Sequence, residues 1–123
     1  VNSKKRVAVV DDDRDMVRSL CDILELHGWE TVPEYDGEGA VALNRDADVD
    51  LFLMDVRMPR MSGVEAWNAI HERDPDARSV LMTAYAPPEA LALTPSEGVI
   101  RILRKPVVIP ELIEALETAR SAS

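Results

Sequence analysis

Apolar residues along this chain fall into short continuous runs separated by stretches in which they recur every three or four positions. Arg6 to Val10 is a β-branched run that ends in Asp11, Asp12 and Asp13, and a run so short and apolar predicts a strand buried on both faces. Met16, Val17, Leu20, Ile23 and Leu24 follow at helical spacing, with Asp13 suited to cap the helix and Gly28 placed to end it in the left-handed conformation. Trp29 to Pro33 predicts a short second strand whose proline suits a sheet edge. Gly37 and Gly39 make the next helix, around Ala40 to Asn44, weak by propensity. Asp50 to Asp55 carries the strongest buried-strand pattern, Leu51-Phe52-Leu53-Met54, and Met58-Pro59 to Gly63 reads as a loop. Val64, Trp67 and Ile70 mark the inner stripe of a third helix, and Ser79 to Met82 predicts a fourth strand ending at Thr83.

The alternation continues to the end of the chain. Pro87 and Pro88 start a fourth helix that Pro95 stops, so that element should be short or bent. Val99 to Leu103 predicts a fifth strand before Lys105-Pro106. Leu112, Ile113 and Leu116 belong to a last helix, with Ile109 standing where a polar cap would be preferred. Strands and helices alternating at this interval imply right-handed crossovers and a parallel sheet covered on both faces, an α/β doubly wound fold. The 123 residues suit one domain spanning 1–123, with a core that needs no disulfide or structural metal.

Composition narrows the reading. Hydrophobic residues make up 46% and charged residues 30%, as in an ordinary globular protein. No apolar run approaches membrane length, and the basic start leads directly into a strand, so the expected compartment is the cytoplasm with no membrane contact. A net charge of −9 disfavours direct nucleic-acid binding by this domain. Cys21, the single cysteine, sits on an apolar helical face and is expected to be a buried thiol. His27 and His71 are expected to be solvated, and Trp29 and Trp67 to serve packing.

Ligand sites in open parallel sheets form outside the carboxyl ends of the strands. Here Asp11, Asp12 and Asp13 close the first strand, Asp55 the third, Thr83 the fourth and Lys105 the fifth. Two like charges about 4 Å apart repel by about 4 kcal/mol at an effective dielectric of 20, so clustered carboxylates call for a compensating cation. An all-oxygen site with room for water suits Mg²⁺, with Mn²⁺ as an alternative. Asp55 ends the most apolar strand and is placed to act as a nucleophile that accepts a phosphoryl group. Lys105 offers a positive charge and Thr83 a hydroxyl donor at the same rim. Each residue alone has a bland explanation: an acidic turn, a surface lysine, a strand-ending threonine.

Taken together, these segments resemble the receiver domains of two-component response regulators over essentially the whole chain. Val7-Ala8-Val9-Val10-Asp11-Asp12-Asp13 is similar to the acidic-pair strand of that family, and Leu53-Met54-Asp55-Val56-Arg57-Met58-Pro59 with Gly63 to its phosphoacceptor segment. Met82-Thr83-Ala84 corresponds to the switch hydroxyl and Lys105-Pro106 to the lysine-proline pair. The resemblance implies a flavodoxin-like sheet of five parallel strands in the order 2-1-3-4-5. It implies Mg²⁺ held directly by Asp12, Asp55 and the backbone carbonyl of Arg57, with Asp11 acting through water. It also implies a cis peptide before Pro106, and phosphoryl transfer to Asp55 from a sensor histidine kinase or phosphotransfer protein. Arg57 and Tyr85 should flank the phosphoryl group.

The readout face implied is the fourth helix, fifth strand and fifth helix, acting on an output domain or partner protein, with homodimerisation through that face as a further arrangement. The family's inward-turning aromatic on the fifth strand corresponds to Ile102 here, a departure that leaves the aromatic part of the switch in question. Two other readings compete. A haloacid-dehalogenase-type phosphatase would use aspartates two apart, as in Asp11 and Asp13, but leaves Asp55 unexplained. A pseudo-receiver would keep the fold without phosphorylation.

Overall fold

The computed structural model describes residues 5–47, 49–84 and 97–121. Strands β1 (Arg6–Val10), β2 (Glu30–Glu34), β3 (Leu51–Asp55), β4 (Arg78–Thr83) and β5 (Val99–Arg104) form one sheet in the order β2-β1-β3-β4-β5, and every neighbouring pair is parallel. Helices α1 (Arg14–Leu26), α2 (Gly37–Ala47) and α3 (Gly63–Arg73) connect the strands, and a C-terminal helix spans Ile109–Ser121. The predicted fourth helix and Tyr85 lie outside the described residues.

Strand alternation divides the core in two. Val7, Val9, Leu51, Leu53, Val80 and Met82 face α1 and the C-terminal helix, where they meet Val17, Leu20, Leu24, Leu112 and Leu116. Ala8, Val10, Phe52, Met54 and Leu81 face the opposite way, toward Ala40 of α2 and Ala66, Trp67 and Ile70 of α3. With both faces covered, β3 is buried along its whole length. This explains its continuous apolar run: a half-exposed strand would alternate with polar residues.

Local signals set most of the boundaries. The Asp13 side chain accepts the Met16 N–H at 3.2 Å and starts α1. At the other end Gly28 adopts φ +89°, and the N–H groups of Gly28 and Trp29 close back onto the carbonyls of Glu25 and Leu24, a Schellman ending. Pro33 lies on β2, an edge strand, in register with Val9. This strand begins at Glu30, one residue later than expected, and β3 begins at Leu51.

Helix α2 is a larger correction, since it starts at Gly37 and includes both glycines thought to weaken it. Its first turn is held by the Asp36 carboxylate, which accepts the Gly39 N–H at 2.6 Å. A Cβ on Gly37 would press on the side chain and the backbone carbonyl of Met61, so close approach favours glycine there against helix propensity, whereas at Gly39 it would meet the end of the flexible Glu34 side chain, which can move aside. The C-terminal helix starts at Ile109, and the Val108 carbonyl accepts the Leu112 N–H, so the cap position falls on Val108, one residue before the expected Ile109.

Candidate functional site

The carboxyl ends of β1, β3 and β5 converge at one rim. Asp11 follows β1 and is 1% exposed, Asp55 ends β3 at 6%, and Thr83 ends β4 at 2%. Asp12 is exposed beside them. Oxygen atoms from Asp11, Asp12 and Asp55 all lie within 4.8 Å of one another, a spacing able to hold a metal ion. Lys105, just beyond β5, points its Nζ between the two buried carboxylates, 2.7 Å from Asp11 Oδ2 and 3.0 Å from Asp55 Oδ1.

The electrostatics follow from burial. Loss of water pushes the Asp55 carboxyl up to about 6, with the neighbouring Asp11 and Asp12 charges adding to the rise and the Lys105 ammonium opposing it. Burial raises Asp11 as well, against the hydrogen bonds from Lys105 and the Asp13 N–H. For Lys105, burial favours the neutral amine, but its bonds to Asp11 and Asp55 outweigh that and the net shift is upward. One ammonium therefore serves the two buried carboxylates, and with Asp12 beside them the cluster retains negative charge for a further cation. Its donors are all hard oxygens, which fits Mg²⁺ or a similar ion.

Backbone packing fixes the end of β3 beneath this cluster. The Val56 N–H donates to the Met82 carbonyl at 2.8 Å, and the Gly63 N–H to the Val56 carbonyl at 2.7 Å. A Cβ on Gly63 would collide with the Asp55 carbonyl oxygen, so the start of α3 rests directly on the Asp55 backbone. That start is fixed by a capping box: the Glu65 N–H donates to Ser62 Oγ at 3.1 Å, and the Ser62 N–H donates to the Glu65 carboxylate at 2.9 Å. Sequence reading passed over this pair, although Ser62-Gly63-Val64-Glu65 carries its signature.

The candidate residues do not all meet in the cluster. Asp11, Asp12, Asp55 and Lys105 are brought together. Thr83 is buried at the same rim, opposite Arg104, and its carbonyl accepts the Lys105 N–H at 2.8 Å. Arg57 is exposed in the loop after β3. Ile102 is half-buried against the α3 side of the sheet, and the Lys105–Pro106 peptide bond is cis. Asp13, which the phosphatase reading needed as an acid, is occupied as the cap of α1. Cys21, Trp29 and Trp67 are buried as expected. His71 departs from the solvated position foreseen for it and lies half-buried against the Trp67 ring, 5.5 Å between centroids.

Residues 7–117 match the family model described as the response regulator receiver domain. Among curated proteins, the chain is 36% identical to a response regulator receiver protein of Anaeromyxobacter sp. over 89% of its own length and 46% of that protein. It is 32% identical to the response regulator receiver protein CpdR of Brucella abortus, covering 92% of this chain and 94% of CpdR. The chain thus spans about half the length of the first of these relatives and nearly all of the second. Among solved structures, a response regulator receiver domain protein from Methanospirillum hungatei superposes with a TM-score of 0.87 at 27% identity, covering 95% of this chain and 94% of that one. Among the described residues, no helix is long and apolar enough to cross a membrane.

Proposed function

The chain belongs to the response regulator receiver domain family, and on that premise we propose that its residues 1–123 act as one receiver domain that takes a phosphoryl group onto Asp55. The observation that carries this assignment is the Lys105 ammonium bridging Asp11 and Asp55 within a triad of carboxylates. A receiver domain is a phosphoacceptor signalling module served by kinase or phosphotransfer partners, and the donor assigned here is a phosphohistidine on such a protein.

The carboxylate of Asp55 forms a P–O bond as the P–N bond of the donor breaks. The departing histidine nitrogen keeps the electron pair and takes up a proton from solvent. Lys105 already sits on Asp55 Oδ1, which supports attack through Oδ2 with the ammonium close to the incoming phosphoryl oxygens. Mg²⁺ would be held by Asp12, Asp55 and the Arg57 carbonyl. Asp11 would act through water, in keeping with its two oxygens already taking the Asp13 N–H and the Lys105 ammonium. The bound ion would supply positive charge against the phosphoryl oxygens. Neutralisation of this kind is commonly the largest contribution to phosphoryl transfer.

Thr83 then donates its hydroxyl to the aspartyl phosphate while Lys105 moves to pair with it. Moving a two-state equilibrium from 1:99 to 99:1 takes about 5.5 kcal/mol. Two hydrogen bonds to charged groups, at about 1.5–3 kcal/mol each, reach that order. The shift passes to the face that includes β5 and the C-terminal helix, with Ile102 packing in place of an aromatic switch, and an output domain or partner protein reads it there.

Intact mass after incubation with acetyl phosphate tests the assignment. One Mg²⁺-dependent phosphoryl adduct, labile to hydroxylamine and absent from Asp55→Asn, is expected. An adduct that persists in Asp55→Asn overturns the choice of acceptor, and no adduct in the wild type, with no beryllofluoride complex, leaves the pseudo-receiver reading.

A further inference from the structure

Strand β5 is out of step with the rest of the sheet. In β4 the residues from Ser79 to Met82 span three steps, yet their partners from Val99 to Leu103 span four, so β5 carries an extra residue between the Ser79 and Val80 pairings. The side chains record the same break. Val99 packs on the α3 side and Ile100 on the side of the C-terminal helix. Arg101, which regular alternation would turn back toward α3, instead reaches Glu114 of the C-terminal helix at 3.8 Å. Two successive residues on one face are the mark of a β-bulge.

The bulge decides which way Lys105 points. Beyond it Ile102 faces α3 and Leu103 the C-terminal helix, so Lys105, two residues after Leu103, leaves β5 on the face shared by Val9 and Leu53. Asp11 and Asp55 follow those residues by the same interval of two. An unbroken β5 would exchange the faces of Ile102 and Leu103 and turn Lys105 away from both carboxylates, because a one-residue slip reverses every side chain that follows.

The start of β5 is held from α3. The Trp67 indole N–H donates to the Glu97 carbonyl at 3.0 Å, and the Ser79 N–H donates to the Gly98 carbonyl at 2.8 Å. Gly98 has φ +78°, and a Cβ on it would stand 2.5 Å from Trp67 Cζ2 and 2.8 Å from His71 Cδ2. The fully buried Trp67 also meets Phe52 of the phosphoacceptor strand edge to face, 6.3 Å between centroids.

We propose that Trp67 and Gly98 are positioning residues: they clamp the start of β5 in the bulged register and so set the face from which Lys105 reaches the phosphoacceptor. The part that concerns phosphoryl transfer rests on the function proposed above, whereas the register itself does not. Trp67→Phe keeps a ring in the core and removes the N–H. Gly98→Ala, which drives a methyl group into that ring, is the second variant should the first fold poorly.

Interstrand amide contacts measured by NMR provide the direct test. The wild type gives one set pairing Leu103 with Met82, and each variant gives a second set displaced by one residue. Phosphorylation by acetyl phosphate then slows by about threefold to tenfold, the size of one lost net hydrogen bond. In a Lys105→Met background the same substitutions cause no further slowing, because the clamp acts through Lys105. A single unchanged register in both variants, or an equal loss of rate with and without Lys105, overturns the proposal. A wild type that accepts no phosphoryl group defeats the proposed function, while the NMR contacts still decide the clamp.

Discussion

On the acidic side of the rim, Asp11 and Asp55 stand at the ends of β1 and β3, strands whose alternation runs unbroken into the site. On the cationic side, Lys105 arrives from a strand that holds an extra residue and is anchored by an indole on another helix. Adjacent central strands set the positions of the carboxylates by their own phase, so these need only the pleat. The lysine comes from the far edge of the sheet and depends on packing some distance away. Their solvation differs too: Asp11 and Asp55 are almost fully buried, while the Lys105 side chain remains 21% exposed. The acidic side is thus the strained partner, and the single ammonium is what makes it tolerable.

Removing that ammonium breaks the comparison most severely. Lys105→Met should slow phosphorylation from acetyl phosphate about a hundredfold, as expected when one charged stabiliser of developing phosphoryl charge is lost. It should also destabilise the metal-free protein at pH 7 by about 3 kcal/mol, because two buried carboxylates lose their partner. Chemical denaturation and adduct kinetics measure the two effects. A variant that keeps the wild-type rate would remove Lys105 from the mechanism.

The next effect is one of pH. The native protein holds the Asp55 proton up to about 6, above the ordinary carboxylate range that applies once the chain unfolds. The folded state therefore binds more protons between those values, and the contribution of Asp55 to stability is greatest below pH 4 and declines as pH rises to about 6, by roughly 2–3 kcal/mol. Asp11 is displaced in the same direction. Denaturation profiles without metal should show this decline. Asp55→Asn, which leaves the Lys105–Asp11 pair in place, should flatten it and be the more stable protein at pH 7. A decline of equal size in the variant would show that Asp55 does not cause it.

Asp12 sharpens the comparison with the smallest effect. Because it is exposed, Asp12→Asn should stabilise the metal-free protein by less than about 1 kcal/mol, the range of exposed charge interactions. Its main consequence should be weaker binding of Mg²⁺, seen as a smaller metal-induced rise in melting temperature. An unchanged Mg²⁺ response would exclude Asp12 as a ligand.

Much of this was legible in the sequence because it is local. Continuous apolar runs gave the strands, Asp13 and Gly28 gave the ends of α1, and four strands ending in chemically useful residues marked the rim. The misreadings share a different origin. Gly37 reads only as a residue that weakens α2 until Met61 is packed against it. His71 looks solvated until Trp67 is beneath it. The capping box of Ser62 and Glu65 is the exception, since it is local and legible from their spacing alone.

The sequence by itself determined the order of strands and helices, which residues stand at the strand ends, and the chemical types gathered there, since each depends on periodicity and on residues a few positions apart. Tertiary structure alone decided that Asp11 is buried while its neighbour Asp12 is not, that one ammonium serves two carboxylates, and that a bulge turns Lys105 toward them. Lys105 and Asp11 bond across 94 residues of sequence. Solvent exclusion and strand register are properties of the assembled sheet, fixed only when such distant segments pack together.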